Sequence, residues 1–390
     1  CGNMKIKSNK IISALGKDLI AKLFSSWFFM GSILFLFSSG STIDAKLFQS
    51  VNLLIAAALF VVLFAAQTAV ASLVDNEKTI PIFVLMSVSM LSIEAAMKVT
   101  DKFVILGFAA AIFLAARYAY LSGLEIKISS KCTGIVTACV VIAFTVLVCA
   151  IMVLRIKIYT APNFDFGIFC NIFYNLKESF QPLATCERDK LLSHFAVHFS
   201  PILYLLLPIY YIFPYAETLN IAQVIILFSG IVPLLLIMKN YNLGNAVKMF
   251  LATAFIAYPA VSYGSIYDFH ENCFILPLLL WLFYFYEKDK KIPMFIFAFL
   301  VLTVKEEAFA YVFIFALYIM LAKKDYKKGA LLMALSLVWF GLAVLYISHL
   351  GEGIMSNRFA NLKQPDEGLF GVIKTVFKTP ELVINELFRS

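Results

Sequence analysis

The chain alternates long apolar runs with short polar connections over most of its length. An apolar run of about 20 residues is typical of a helix that crosses the hydrocarbon core of a bilayer. The pattern predicts helices over 20–38, 51–74, 80–97, 103–122, 133–154, 218–238, 247–264, 272–286, 292–304, 307–322 and 329–348. The expected fold class is therefore an all-α integral membrane protein, a polytopic helical bundle of about 11 transmembrane helices.

One further apolar run, 199–214, is predicted to lie in the membrane interface. It contains three prolines, which interrupt long straight helices, and several tyrosines, which favour the interface. If this run crossed the membrane, the lysine-rich connections "KNYNLGNAVK", "EKDKK" and "KKDYKK" would all lie outside, against the positive-inside rule. With the run in the interface, these connections and the basic N-terminus are cytoplasmic.

Composition agrees with a membrane protein and argues against a soluble one. The chain of 390 residues is 62% hydrophobic and 14% charged, with a mean hydropathy of +0.89. Soluble domains are about a quarter charged. Much of the net charge of +8 falls in short loops between apolar runs, where basic residues set the orientation of membrane helices. The positive charge therefore does not indicate nucleic acid as a partner. The expected partner is the lipid bilayer, and the oligomeric state stays open.

Three segments are expected along the chain. Residues 1–132 hold a cytoplasmic start and four lead-in transmembrane helices, 133–350 form a membrane core, and 351–390 form an extracytoplasmic tail. The abrupt end at "NELFRS" predicts that the tail is truncated. The core begins with a long extracytoplasmic loop from about 155 to 198. Cys170 and Cys186 share this loop and could pair in an oxidising space, although spacing alone leaves them free or paired.

With this topology, the unusual polar clusters fall on one outer face. They are Asp165 in "NFDFGIF", the histidines of "LLSHFAVHFSP", Asp268, His270 and Glu271 in "SIYDFHENCF", and the charges of "LTVKEEAFAY". Each carboxylate could simply cap a helix N-terminus. Against that stands the joint pattern, because ionisable groups near membrane depth are costly and usually mark a functional cavity.

Two kinds of chemistry suit these residue types. A carboxylate can act as general base toward an acceptor hydroxyl, while Lys305 and Arg188 contact a phosphate. Alternatively, carboxylates near histidine can bind a divalent cation, for which the candidate ligands are Asp165, Asp268 and His270. The sequence has no P-loop, no H-E-x-x-H and no G-x-S-x-G, which argues against ATP-driven work and the corresponding hydrolases.

Four ordered motifs resemble a family of bacterial membrane proteins called domain of unknown function 2079. They are "FDFGIF" (164–169), "HFSP" (198–201), "DFH" (268–270) and "KEE" (305–307). The likeness covers about 134–350. The family in turn resembles the C-type glycosyltransferase superfamily, whose members transfer sugars from polyprenyl-phosphate donors outside the cytoplasm. The resemblance therefore implies a glycosyltransferase-like protein of the bacterial cell envelope, multi-pass in the cytoplasmic (inner) membrane.

The resemblance also suggests roles for particular residues. Asp165 matches the acidic residue of the superfamily's first outer loop, the base or metal contact, and Asp268 matches its second acidic site. Lys305 falls where the superfamily often has Thr-Lys, but Val304 here replaces the Thr. The predicted catalytic residues are Asp165, Asp268 and Glu271. The predicted substrate-binding residues are His198, His270, Lys305, Glu306 and Arg188. The cofactor would be a divalent cation, if one is used.

Two other functions remain open from the sequence. A transporter or flippase of a lipid-linked or anionic solute would also need charged groups in a membrane, but transporters place them near mid-bilayer and often show repeats. A non-catalytic assembly or scaffold protein would need these charges for folding alone. The sequence names neither the sugar nor its acceptor.

Overall fold

A computed structural model describes residues 18–36, 52–74, 78–98, 102–124, 127–161, 164–350, 361–362 and 369–388. Contacts divide the chain into two compact units, 1–127 and 128–390. Of the predicted tail, residues 351–360, 363–368 and 389–390 lie outside the described residues. In the described part, the chain is almost entirely helical, with one two-stranded sheet.

The first unit is a bundle of the four lead-in helices. These are α1 (Leu19–Leu36), α2 (Leu53–Val74), α3 (Thr79–Lys98) and α4 (Lys102–Leu121). Polar side chains join α1 to α2, since Ser25 Oγ donates to Gln67 Oε1 at 2.5 Å and Gln67 Nε2 donates to Ser26 Oγ at 2.9 Å. Small hydroxyl residues allow close approach of helices and supply hydrogen bonds where lipid supplies none.

The second unit contains the remaining elements. In chain order they are α5 (Ser130–Lys157), α6 (Phe164–Ser179), β1 (Leu183–Ala184), β2 (Leu192–Ser193), α7 (Leu207–Ile212), α8 (Ala216–Ser229), α9 (Ile231–Asn240), α10 (Asn245–Ala257), α11 (Pro259–Ile266), α12 (Ile275–Glu287), α13 (Lys291–Leu302), α14 (Phe309–Leu321), α15 (Tyr326–His349), α16 (Leu369–Lys378) and α17 (Pro380–Phe388). Short 3₁₀ helices cover His194–Ala196, Pro201–Leu205, Glu271–Phe274 and Glu306–Ala308.

Five helices of the described part are long and apolar enough to cross a membrane, which makes this a multi-pass membrane protein. They are α1, α2, α5, the continuous stretch Ala216–Asn240, and α15. A sixth span is possible if α10 and the following helix, which are bent by 44°, count as one. The predicted total of 11 stays a prediction, because α12, α13 and α14 have 12 or 13 residues each, about 20 Å of helix at 1.5 Å per residue.

The run 199–214 is divided into short helices. Pro201–Leu205 is a 3₁₀ helix, and α7 has six residues with Pro208 in its first turn. Neither is long enough to cross a bilayer. Proline at the start of each helix explains the division, because its ring fixes φ and removes a backbone donor.

The predicted long loop after α5 contains ordered structure. Six apolar side chains of α6 are buried, so the helix packs one face into the core. The strands β1 and β2 pair antiparallel and are tied to α6 by two asparagines. Asn171 Oδ1 accepts from the Thr185 N–H at 2.8 Å, and Asn175 Nδ2 donates to the Leu183 oxygen at 3.0 Å. This loop therefore holds Asp165 and His194 at fixed positions.

Candidate functional site

The four motif segments meet at one cluster in the second unit. Phe169 of α6 lies at its centre, with its ring centroid 5.7 Å from that of His194, 5.4 Å from that of His270 and 5.2 Å from that of Phe269. The segment that follows His198 is joined to the segment before Lys305, because the Ile202 N–H donates to the Thr303 oxygen at 2.9 Å. Residues more than 100 positions apart are thereby brought together.

Three histidines of the cluster each present Nδ1 to a glutamate. His194 lies 3.0 Å from Glu187 Oε2, His198 lies 2.9 Å from Glu306 Oε1, and His270 lies 3.0 Å from Glu271 Oε2. A carboxylate at Nδ1 fixes the orientation of an imidazole and favours the tautomer with its lone pair on Nε2. The His194 and His198 pairs are therefore suited to accept a proton at Nε2. His270 differs, because its Nδ1 accepts from the Asn272 N–H at 3.5 Å.

The three histidines differ in how far they reach the surface. The side chain of His194 is 2% exposed, that of His198 is 14% exposed and that of His270 is 26% exposed. Within the described residues, the buried Nε2 of His194 has no hydrogen-bond partner. His270 is thus the histidine of the three that a ligand can reach most readily.

A buried ion pair lies beneath His270. Glu271 is fully buried, and its Oε1 lies 3.2 Å from the Nζ of Lys305, which is itself 5% exposed. Glu306, the sequence neighbour of Lys305, is directed elsewhere: its Oε2 accepts from the Phe199 N–H at 3.1 Å. Glu307 is exposed. Lys305 therefore neutralises a carboxylate from another segment.

Asp165 lies at the partly exposed edge of the same cluster. The Tyr267 hydroxyl donates to its Oδ2 at 2.9 Å. This hydrogen bond raises the pKa of the Tyr267 phenol, and burial adds to the effect. Asp165 is the predicted base. It interacts electrostatically with His270, and its partial exposure leaves its carboxylate open to an acceptor.

Asp268 is buried next to the cluster. Its Oδ1 accepts from Asn220 Nδ2 at 3.3 Å, and its Oδ2 lies 3.7 Å from Arg155 Nη2. Burial raises the pKa of the Asp268 carboxyl, although Arg155 and Asn220 oppose the effect. With a side chain 3% exposed, Asp268 is directed at protein groups.

Arg188 lies in the segment between β1 and β2 and is exposed. Its Nη1 donates to the Glu187 oxygen at 2.9 Å. The predicted phosphate contacts, Arg188 and Lys305, thus already bind protein groups in this conformation.

The predicted metal ligands are not arranged around a common point. Asp165 binds Tyr267, Asp268 faces Arg155, and His270 faces Glu271. In the part of the chain that the structure describes, no group of three or more His, Cys, Asp or Glu side chains could hold a metal ion. The predicted ligands Asp165, Asp268 and His270 therefore do not fit a resident cation in this arrangement.

Several residues of the site were not predicted from the sequence. Glu187 stands in the polar stretch "TCERDK", where a glutamate normally faces solvent, and Asn220 and Gln223 lie inside an apolar helix. The two amides had a signal, since uncharged polar residues within a span need partners.

The possible pairing of Cys170 with Cys186 does not occur: both are free thiols. Burial raises the pKa of Cys170 to about 12.

The charge states follow from the surroundings. Burial holds the pKa of His270 below its ordinary value, and Lys305 acts in the same direction, although Glu271 opposes them. Burial opposes ionisation of Glu271, but His270 and Lys305 outweigh it and hold the pKa of Glu271 low. The pKa of Glu306 is also low, because His198 outweighs burial. At neutral pH the site therefore holds ionised glutamates and a neutral His270.

Acid is expected to destabilise the protein in two steps. The upper step belongs to His270: the unfolded chain binds its proton more tightly, so stability is lost as pH falls from 6.5 toward the lower folded pKa. The lower step belongs to Glu271 and Glu306, whose stabilisation is present above 4.5 and lost as pH falls through their folded pKa values. Thermal midpoints against pH measure both.

The variant His270→Gln should remove the upper step and keep the lower one. His349→Gln, which changes a histidine at the end of α15, is the matched control and should keep both. An upper step that survives in His270→Gln would mean that another group carries it.

Fold and site together define a class of protein: a multi-pass helical membrane protein with a buried ionisable cluster that opens at one edge. Residues 157–390 match the family described as "Predicted membrane protein (DUF2079)". The chain belongs to this family, as its motifs indicated. No curated protein and no solved structure is significantly similar to the chain.

Proposed function

We propose that the chain is a membrane glycosyltransferase-like protein, which transfers a sugar from a polyprenyl-phosphate donor to an acceptor at the extracytoplasmic face. The observation that carries the proposal is the edge of the cluster, where the accessible carboxylate of Asp165 lies beside the neutral, partly exposed His270. Two groups able to take a proton therefore lie next to the buried ion pair of Glu271 and Lys305.

The proposed chemistry is a single displacement at the sugar. The acceptor hydroxyl transfers its proton to the Asp165 carboxylate as its oxygen bonds to the anomeric carbon. The bond from that carbon to the donor phosphate breaks, and the electron pair leaves with polyprenyl phosphate. Tyr267 orients Asp165, and the Asn272 N–H orients the His270 ring by donating to its Nδ1. His198, held by Glu306, extends the polar surface that faces the substrate.

An apolar groove supports a lipid-linked donor. It has a volume of about 670 Å³ and is lined by Lys157, Leu206, Ile209, Phe213, Tyr215, Glu217, Thr218, Ile221, Ala222, Ile225 and Ile226. On α8 its lining extends from Glu217 to Ile226, about 13 Å at 1.5 Å per residue. Lys157 at one end pairs with Glu217 at 2.5 Å. A hydrocarbon chain fits such a groove, because its lining is almost wholly apolar.

The groove and the cluster are connected through α5. Lys157 lines the groove, while Arg155, two residues earlier, reaches Asp268 and the Ile266 oxygen. The donor phosphate is therefore expected near this end of α5. Lys305 is paired with Glu271, so it would contribute to phosphate binding through its positive charge, or through a direct contact after the pair separates. Arg188 would approach the phosphate from the segment between β1 and β2.

The experiment is an assay of sugar transfer by the purified full chain in proteoliposomes, with a labelled polyprenyl-phosphate sugar. The expected result is label on an acceptor that is chemically distinct from the donor. Movement of label across the membrane without any covalent product would contradict the proposal and favour the second candidate.

That second candidate is a transporter or flippase of a lipid-linked or anionic solute. The buried Glu271–Lys305 pair favours it, since paired charges within a membrane protein often mark a substrate pathway. We rank the transporter second, because Asp165 lies at an exposed edge of the cluster, whereas a transport site is expected near the middle of the membrane.

The proposed orientation puts the N-terminus in the cytoplasm of a bacterial inner membrane and the cluster outside. Asn272, beside His270, and Lys327, at the start of α15, are both exposed. In a background without other reactive cysteines, a membrane-impermeant maleimide added outside should label Asn272→Cys and miss Lys327→Cys. Labelling of Lys327→Cys without labelling of Asn272→Cys would indicate the opposite orientation.

A further inference from the structure

The segment 264–270, which comprises the end of α11 and the loop that carries His270, is held by side chains of α8. Asn220 is fully buried and Gln223 is 2% exposed. Asn220 Oδ1 accepts from the Phe269 N–H at 2.8 Å, and Gln223 Oε1 accepts from the His270 N–H at 2.8 Å. Two consecutive backbone donors are thus bound by two side-chain amides one helical turn apart.

The same side chains also bind the carbonyl side of the loop. Gln223 Nε2 donates to the Gly264 oxygen at 3.1 Å and to the Tyr267 oxygen. Asn220 Nδ2 donates to Asp268, as described above. Arg155 completes the set from α5 by donating to the Ile266 oxygen. Because α11 ends at Ile266, these groups replace the helical hydrogen bonds that the following residues lack.

The arrangement has a direct consequence for the imidazole. The His270 backbone N–H is fixed by Gln223, and the ring must then reach Glu271 on one side and pack beside Phe169 on the other. The charged and titratable groups around this ring are Glu271, Lys305, Asp165 and His198. A change of the loop by about 1 Å would alter each of these distances, and displacements of that size cost roughly 10²-fold in rate in enzymes.

We propose that Gln223 and Asn220 are positioning residues, which set the location of the His270 imidazole through its own backbone and that of Phe269. They touch no substrate. Their importance for turnover rests on the proposed function, whereas their effect on the imidazole does not. This separates them from side chains that merely fill the helix interface.

The test is NMR of the full chain with ¹³C-labelled histidine in detergent. The chain has four histidines, and the His270 signal is assigned by its loss in His270→Gln. At alkaline pH, where the imidazoles are neutral, the ring current of Phe169 displaces the His270 line. Gln223→Met is expected to move the His270 line toward the position of free imidazole, while the lines of His194, His198 and His349 stay in place.

Three results would overturn the proposal. The His270 line in Gln223→Met could stay in place, or all the lines of the cluster could move together, as in a general loosening. If Gln223→Met does not fold, Gln223→Glu replaces it. The glutamate side chain of this variant keeps an oxygen that can accept from the His270 N–H but loses both donors. The His270 line of Gln223→Glu should therefore stay at the position that it has in the unmodified chain. A displaced line in this variant would also contradict positioning through the backbone. Ser229→Ala, at an exposed site on the same helix, is the control.

A second readout applies once transfer is measured. Gln223→Met should lower kcat by about 10²-fold with little change in KM, and should cause little further loss in the His270→Gln background, because residues that act as one unit are not additive. Equal losses in both backgrounds would make Gln223 a purely structural residue. Absence of transfer by the unmodified chain would count against the proposed function and leave the NMR result to decide on positioning.

Discussion

Replacing Glu271 with glutamine is expected to reduce the free energy of unfolding by about 3–5 kcal/mol. Glu271 is fully buried, and the Lys305 ammonium that it neutralises is 5% exposed. Glutamine has nearly the same shape but no charge, so the variant keeps the packing and leaves a buried ammonium without its partner. Breaking such a pair is costly because the remaining charge has lost its hydration as well.

The measurement is thermal unfolding of the full chain in detergent, followed by circular dichroism. For a unit of this size, such a loss corresponds to a fall of about 6–20 °C in the midpoint. The double variant Glu271→Gln with Lys305→Met should recover most of it, since removing both charges leaves no unpaired ion. Glu307→Gln, an exposed glutamate next in sequence to Glu306, should leave the midpoint unchanged. A single variant as stable as this control would mean that Lys305 is not a buried cation.

The membrane character of the fold follows from the sequence with good accuracy. The predicted runs 133–154 and 329–348 correspond to α5 and α15, which extend one to three residues further at each end. The extension arises because backbone hydrogen bonding continues past the apolar run into residues such as Lys157 and Tyr326. Hydropathy detects apolar length, and long spans satisfy it on their own.

The short helices were harder to predict for a physical reason. The run 307–322 begins with a 3₁₀ turn, and its α-helix starts at Phe309. Hydropathy cannot distinguish an apolar helix of 13 residues within a folded unit from the core of a span. The helix α6 was missed as well, because a polar stretch with a single buried face looks like a loop.

The members of the site were predicted better than their pairing. The sequence indicated Glu271, Lys305 and Glu306 as members of the site, and a local pattern alone would pair Lys305 with a carboxylate next to it in sequence. The structure instead pairs Lys305 with Glu271 and Glu306 with His198. Such pairs join residues 34 and 108 positions apart, and they depend on tertiary packing, which local patterns do not encode.

Replacing Asp165 with asparagine is expected to abolish most of the proposed transfer. Asparagine can still accept the Tyr267 hydrogen bond, so the edge of the cluster should keep its geometry. It cannot take a proton from an acceptor hydroxyl, and loss of a general base costs typically 10²–10⁴-fold in rate. Because Asp165 is partly exposed, little change in the unfolding midpoint is expected.

The matched control is Glu178→Gln. Glu178 lies on the same helix as Asp165, is 52% exposed and pairs with Lys177 at the surface. This variant removes one carboxylate from α6 without touching the cluster, and its transfer rate should equal that of the unmodified chain.

The most direct test of the acid–base site is therefore the rate of label transfer from a polyprenyl-phosphate sugar by the purified chain, Asp165→Asn and Glu178→Gln, side by side in proteoliposomes. We expect a labelled product from the unmodified chain and from Glu178→Gln, and a rate at least about 10²-fold lower for folded Asp165→Asn. Equal rates for all three proteins, or transport of label with no covalent product, would contradict it.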